Sequence, residues 1–160
     1  MVERKSTTAL AGWTAAAILL TGFALPKLTC LACGLCARQF QRACDVVYTF
    51  WFRDELLVNL WEVGPFALLA IVAFSLLQNN RRPRWSLPLI IGSGAGMVVV
   101  DGACYSYLFW QIFAHGAHGV IMLALVPLPA VVIVAGFVTG LISQLLAALW
   151  QDSTADAAGD

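Results

Sequence analysis

The sequence predicts an all-α integral membrane protein, built as a four-transmembrane-helix bundle. Hydrophobic residues make up 61% of the 160-residue chain and charged residues only 11%, and the mean hydropathy is +0.83. Soluble domains contain about 45–50% apolar and about 25% charged residues. In addition, four stretches of the chain are long and apolar enough to cross a bilayer core about 30 Å thick. We therefore expect residues 1–150 to form one domain in the lipid bilayer.

The four predicted spans differ in what bounds or interrupts them. The first is expected to stop at Pro26, the second contains Asn59 and Glu62, and the third contains Asp101. The fourth is long enough to tilt or to bend at its prolines. The approximate bounds of the spans are residues 7–25, 56–77, 87–113 and 119–149. The small, polar segment 151–160 is expected to be a disordered tail.

The first stretch also has an alternative interpretation as a secretory signal peptide, because Glu3, Arg4 and Lys5 precede it. Its apolar part exceeds the roughly 7–15 residues of a signal core, and Pro-Lys-Leu-Thr follows where small cleavage-site residues should stand. We therefore expect an uncleaved span. Between helices 1 and 2, the aromatic sequence YTFWF at 48–52 predicts a short interfacial segment along the headgroups.

The distribution of lysine and arginine predicts the orientation, because short cytoplasmic loops carry an excess of both. Five basic residues would lie on one side of the membrane: Arg4, Lys5, Arg81, Arg82 and Arg84. Four would lie on the other: Lys27, Arg38, Arg42 and Arg53. We expect both termini in the cytoplasm, as in a bacterial inner-membrane protein with its first loop outside.

Four cysteines follow the first predicted span in the pattern C-x2-C-x2-C-x7-C: Cys30, Cys33, Cys36 and Cys44. Thiol–disulfide redox exchange and structural disulfides are two interpretations. A zinc or copper site is another, because soft thiolate ligands select these metals. An iron–sulfur site, a lipidation site and plain packing of small apolar side chains remain as alternatives.

Helix geometry separates these interpretations. On a continuous helix, three cysteines spaced by three residues spread over about 120°, so they cannot all converge on one ion. Chelation would require the helix to end within the motif, where Gly34 would permit a turn. A vicinal pair, Cys30/Cys33 or Cys33/Cys36, demands less, and a nearby cation would favour its thiolate. Disulfide chemistry, as redox exchange or as structural bonds, therefore requires less of the helix than chelation does.

This plan resembles that of the quinone-linked disulfide oxidases of the bacterial inner membrane. Those enzymes also have four spans, cytoplasmic termini and a Cys-x2-Cys motif in the first outward loop. The resemblance implies disulfide exchange with a quinone as electron acceptor. It covers topology and one short motif, because the second cysteine pair of those enzymes, between spans three and four, has no counterpart in the short FAHGAHG connection here. Cys104 is instead predicted inside span three.

Two acidic residues fall inside predicted spans and are candidate functional residues. A carboxylate in hydrocarbon is costly unless it is protonated, paired or facing a watery interior. Asn59 and Glu62 share one helix face, as do Asp101, Cys104 and Tyr105. We expect both faces to point into the bundle.

Two further motifs lie in or beside span three. His115 and His118 lie at its predicted outer end and, with Glu62 and Asp101, are candidate metal ligands or proton-coupled redox partners. The alternative is a solvated turn and hydrogen-bonded structural carboxylates. The pair Gly92-x3-Gly96 predicts the close approach of another helix, in this chain or in a second copy.

These residues lead to two functional hypotheses. The first is a small inner-membrane protein whose outward cysteine cluster (Cys30, Cys33, Cys36 and Cys44) performs redox exchange or handles a metal, with a quinone or a soft metal ion as cofactor. The second is a non-catalytic accessory or assembly subunit of a larger membrane complex. Both imply a membrane-protein partner or a homo-oligomer. Nucleic-acid binding is not expected, because nine basic and nine acidic residues cancel.

Overall fold

The computed structural model describes residues 2–49, 56–79, 83–116 and 126–157. Within these ranges the chain forms five helices: α1 (Val2–Cys36), α2 (Phe40–Tyr48), α3 (Leu56–Asn79), α4 (Pro83–His115) and α5 (Leu128–Ala157). Four of them contain stretches long and apolar enough to cross a membrane: Thr8–Cys36, Asn59–Asn79, Ser86–His115 and Leu128–Gln151. The predicted all-α class with four apolar spans is thus confirmed, and α2 is consistent with the predicted interfacial segment.

The first helix passes through Pro26 and continues beyond the predicted end at Leu25 to Cys36. A proline inside a helix lacks the N–H that would bond to the carbonyl four residues earlier, but membrane helices tolerate it where neighbouring helices pack around it. Pro26 is fully buried. At Gly22, four residues earlier, any added Cβ would overlap the ring of Phe66 on α3. This close approach encloses the proline within the bundle.

The last helix also differs from its predicted bounds. It begins at Leu128, and residues 119–125 of the predicted span lie outside the described residues. At its other end it continues to Ala157, into the segment that was expected to be a disordered tail. No glycine or proline interrupts residues 150–157, and alanine and glutamine there favour helix.

Helices α4 and α5 pack closely through small residues on both partners. A Cβ added at Gly96 would overlap Thr139, and one added at Gly92 would overlap Ser143. The Thr139 hydroxyl lies 2.9 Å from the Gly92 carbonyl oxygen, within hydrogen-bond distance. Gly140 of α5 likewise abuts α4. The close approach predicted at Gly92 and Gly96 is therefore made within this chain, by α5.

Helices α1, α3 and α4 each contact three other helices of the chain. The main core contains the stacked rings of Tyr105, Phe109 and Phe113, with centroid separations of 5.7 and 6.4 Å. On the face of α5 that points away from α4, large apolar side chains are exposed, Phe137 and Leu145 among them. Such continuous apolar surface suits lipid hydrocarbon rather than water.

Candidate functional site

The polar centre of the bundle is built around Lys27 of α1. Its ammonium nitrogen donates hydrogen bonds to the Phe23 carbonyl (2.8 Å) and to Asn59 Oδ1 (3.2 Å). The same nitrogen lies 3.9 Å from Glu62 Oε2 and 3.8 Å from the centre of the Phe23 ring. Lys27 is only 7% exposed. The charge is therefore removed from solvent and held by groups on α1 and α3.

Glu62 connects this lysine to α4. The Tyr105 hydroxyl donates a hydrogen bond of 3.0 Å to Glu62 Oε1, and both side chains are buried. The two Glu62 oxygens thus face different partners, the ammonium of Lys27 and the phenol of Tyr105. A buried carboxylate is stable only when its charge and lone pairs are matched in this way. The result is a chain of polar contacts across α1, α3 and α4.

Asp101 extends this network one helical turn along α4 from Tyr105. It is 4% exposed, and it interacts electrostatically with Glu62, Tyr105 and Cys104. Among the described residues, its Oδ2 atom has no hydrogen-bond partner. Asp101 also lies near the middle of the apolar stretch Ser86–His115. Both predicted acidic residues thus point into the bundle, with Tyr105 beside them.

Lys27 is the member of this network that sequence reasoning missed, since it was counted among the charges of the first loop. A span that ends at Pro26 leaves the lysine outside it. The apolar sequence LTCLACGLC, which continues after the Pro-Lys pair, was the signal that the helix extends further. With Lys27 inside the span, its charge requires a buried partner, and Glu62 supplies one.

Cys30, Cys33 and Cys36 occupy successive turns at the end of α1. Cys30 is fully buried, Cys33 is half-buried and Cys36 is exposed. The Cys33 thiol lies 3.7 Å from the Ser106 carbonyl oxygen of α4, as a weak donor. The motif therefore runs from the bundle interior to its surface, and the helix does not end at Gly34 as chelation by all three thiols would require.

A tight turn returns the chain from α1 to α2. Arg38 adopts the left-handed conformation, with φ at 59°, a region that few residues other than glycine occupy. The backbone N–H of Gln39 donates a hydrogen bond of 2.7 Å to the Gly34 carbonyl. Gly34 also lies so close to Ala43 of α2 that an added Cβ would overlap it. Helices α1 and α2 therefore form a helical hairpin with its small residues in contact.

This hairpin brings Cys44 back towards Cys30. Cys30 interacts electrostatically with both Cys33 and Cys44, and its Sγ lies 4.0 Å from the carbonyl oxygen of Ala43. All five cysteines are free thiols. Within the described ranges, no group of three or more histidine, cysteine, aspartate or glutamate side chains is arranged to hold a metal ion. The cluster is thus a set of neighbouring thiols.

The predicted metal ligands do not all meet at one point. His115 is the exposed last residue of α4, and His118 lies outside the described residues. Along α4, His115 is about 21 Å from Asp101 at a rise of about 1.5 Å per residue. The side-chain Nε2 of Gln39 donates a hydrogen bond of 2.8 Å to the Phe113 carbonyl. The His115 end of α4 therefore lies beside the cysteine hairpin. The two carboxylates lie deeper in the bundle.

Comparison with protein-family models, with curated proteins and with solved structures found no significant match. The function is therefore argued from the residues and their geometry.

Proposed function

We propose that the protein performs thiol–disulfide redox exchange from the membrane, through Cys30, Cys33, Cys36 and Cys44 at the α1–α2 hairpin. The observation that carries the proposal is the return of Cys44 towards Cys30 and Cys33, which groups free thiols at one end of the bundle. The graded exposure from buried Cys30 to exposed Cys36 adds support. We further propose that this hairpin faces outward from a bacterial inner membrane, with both termini in the cytoplasm.

Exposure favours Cys36 as the attacking thiol and Cys33 as its partner, because exchange requires an accessible thiolate. Residues three apart on a helix have Cβ atoms about 5–6 Å apart, whereas a disulfide needs about 3.5–4.5 Å. Cys36 is the last residue of α1, and a turn follows it. The final helical turn can therefore tighten enough to bring the two sulfur atoms together.

The proposed exchange proceeds in two displacements. The Cys36 thiolate attacks one sulfur of a disulfide in a partner protein, and the other sulfur leaves as a thiolate that takes up a proton. The Cys33 thiolate then attacks Cys36 in this mixed disulfide, giving the Cys33–Cys36 disulfide and a reduced partner. In the oxidising direction these steps reverse, and two electrons and two protons pass from the chain's dithiol to a membrane quinone, which becomes a quinol. Cys30 and Cys44 are a second pair of neighbouring thiols at the hairpin.

The test is a thiol count on the full chain in lipid bilayers, equilibrated with glutathione buffers from reducing to oxidising. Remaining thiols are trapped with a maleimide and mapped by mass spectrometry. We expect two thiols to be lost together and recovered on reduction, with a peptide that links Cys33 to Cys36. Cys33→Ser should abolish that link, whereas Cys104→Ser, in α4, should leave it intact.

Retention of all five thiols across the series would overturn the proposal. That result is the one expected of a non-catalytic accessory or assembly subunit. A disulfide that forms once and resists reduction would also contradict redox exchange, because it would indicate a structural bond.

A further inference from the structure

Among the described residues, the polar centre contains one basic and two acidic side chains, so their formal charges do not cancel. Lys27 provides one ammonium group, and Glu62, which lies 3.9 Å from it, provides one carboxylate. Asp101 adds a second carboxylate that interacts electrostatically with Glu62. Helix α5 cannot compensate for it, because residues 128–151 contain no ionisable side chain. With both acids ionised, the centre would carry one net negative charge within the apolar stretches of α1, α3 and α4.

Hydrogen bonding gives independent evidence at Asp101. The carboxylate is 96% buried, being 4% exposed, and its Oδ2 has no hydrogen-bond partner among the described residues. Buried polar atoms almost always have a partner, and an unpaired charged oxygen in such a site is costly. Glu62, by contrast, has the Tyr105 hydroxyl on one oxygen and the Lys27 ammonium facing the other. Asp101 Oδ2 is therefore the buried oxygen of this centre that lacks a hydrogen-bond partner among the described residues.

We propose that Asp101 is an intramembrane binding site for one exchangeable proton, next to the Lys27–Glu62–Tyr105 network. A proton on Asp101 removes the net charge of the centre. It also requires only one carboxylate oxygen, and Oδ2 is a buried oxygen without a hydrogen-bond partner among the described residues.

A metal cation would need more ligands than the site offers. Hard cations take six or more oxygen ligands. Within the described ranges, the groups that interact with Asp101 are one carboxylate, one phenol and one thiol, on Glu62, Tyr105 and Cys104. Glu62 is already engaged by Lys27 and Tyr105. The proton is therefore the cation that fits.

This inference is independent of the proposed thiol chemistry, because it uses none of the hairpin cysteines. It gives the protein a group that can take up and release a proton inside the bilayer. In the part of the chain that the structure describes, the titratable and charged groups of this network are Lys27 on α1, Glu62 on α3, and Cys104 and Tyr105 on α4.

Infrared spectroscopy of the full chain in lipid bilayers tests the proposal directly. A protonated carboxylic acid has a C=O stretch that is distinct from the carboxylate bands and shifts in D2O when its proton exchanges. At neutral pH we expect one such band. Asp101→Asn should remove it, whereas Asp45→Asn, at an exposed position on α2, should leave it unchanged. Alkaline buffer should reduce the band in the unmodified protein.

A second variant is expected to increase the number of protonated carboxyl groups instead of decreasing it. Lys27→Met removes the cation that faces Glu62, so Glu62 should also take up a proton and the one band should become two. If Asp101→Asn fails to fold, carboxyl-labelled aspartate in the unmodified protein should shift the original band, and labelled glutamate should not. Absence of the band at neutral pH would overturn the proposal, as would its loss on addition of sodium at constant pH.

Discussion

Lys27 of α1 and Glu62 of α3 form a buried ion pair, with 3.9 Å between Nζ and Oε2. Both residues lie in stretches that are apolar enough to cross a membrane, where single charges are costly. The Lys27 hydrogen bond to Asn59, one turn from Glu62, joins the same two helices. The pair therefore sets the register of α1 against α3 and allows α1 to continue past Pro26 with a charged residue inside it.

We predict that Lys27→Met will destabilise the protein, because Glu62 loses its countercharge and must take up a proton to remain in its buried position. Breaking a buried ion pair in this way costs about 3–5 kcal/mol. The thermal unfolding midpoint in detergent should fall accordingly. The double variant Lys27→Met, Glu62→Met should recover much of the loss, since an apolar pair of similar volume can replace a buried ion pair. Additive losses in the double variant would show that the two side chains act separately.

Tyr105→Phe tests the next contact of the network. The substitution removes the hydroxyl that donates to Glu62 Oε1 but keeps the ring that stacks on Phe109. Leaving a buried acceptor unpaired costs about 1–3 kcal/mol, so we expect a clear decrease in the unfolding midpoint. Tyr107→Phe is the matched control, because Tyr107 is 64% exposed. Equal effects at the two positions would contradict the assigned role of the buried hydroxyl.

Several features of this fold could be predicted because they depend on local sequence alone. A span needs only enough consecutive apolar residues, so the four spans could be predicted from hydropathy. The inward orientation of Glu62 and Asp101 follows from the cost of exposing a carboxylate to lipid. The close approach at Gly92 and Gly96 follows from the absence of side chains there.

Other features depend on tertiary contacts that no local pattern specifies. The partner at Gly92 and Gly96 is α5, which depends on how the helices are arranged in the bundle. Helix α1 continues past Pro26, which is fully buried, and α3 packs closely against α1 at Gly22, one turn earlier. The return of Cys44 to Cys30 depends on the left-handed conformation of Arg38, an arginine where sequence reasoning would favour glycine. The candidate thiol group could therefore be predicted by residue type but not by arrangement.

Gly96→Ala should destabilise the α4–α5 contact. The added methyl group would overlap the Thr139 side chain of α5, so the helices must separate, at a cost of about 1–3 kcal/mol for overpacking. Gly12→Ala on α1 is the control, because nothing lies within 4 Å of the added Cβ. There the better helix propensity of alanine should be neutral or stabilising by up to about 1 kcal/mol. A comparison of unfolding midpoints would contradict the prediction if Gly96→Ala were as stable as Gly12→Ala.

The cysteines should differ in their rate of alkylation in the folded protein. Cys36 is exposed and Cys30 has no exposed surface, so a maleimide should react with Cys36 first and with Cys30 only after unfolding. Half-buried Cys33 should react at an intermediate rate. Timed labelling under reducing conditions, followed by peptide mapping, measures this order. Similar rates at Cys30 and Cys36 would be inconsistent with a continuous, packed helix at the end of α1.

The position of Lys27 also affects the predicted orientation. Once this lysine is counted inside the span and paired with Glu62, only Arg38, Arg42 and Arg53 remain between the first two spans. Five basic residues remain on the other side: Arg4, Lys5, Arg81, Arg82 and Arg84. Since basic residues concentrate in cytoplasmic loops, the bias towards cytoplasmic termini becomes stronger.

We therefore expect Cys36 to face outward in intact cells. A variant that retains only Cys36 should react with a membrane-impermeant maleimide without permeabilisation. A matched variant with all five cysteines replaced and Ser153→Cys added near the C-terminus should react only after the membrane is opened. Replacing Arg81, Arg82 and Arg84 with glutamine should weaken the bias, because it leaves two basic residues against three, and should produce some chains with the opposite labelling pattern. Labelling of Cys36 only after permeabilisation would reverse the orientation and place the hairpin thiols in the reducing cytoplasm, where stable disulfides are rare.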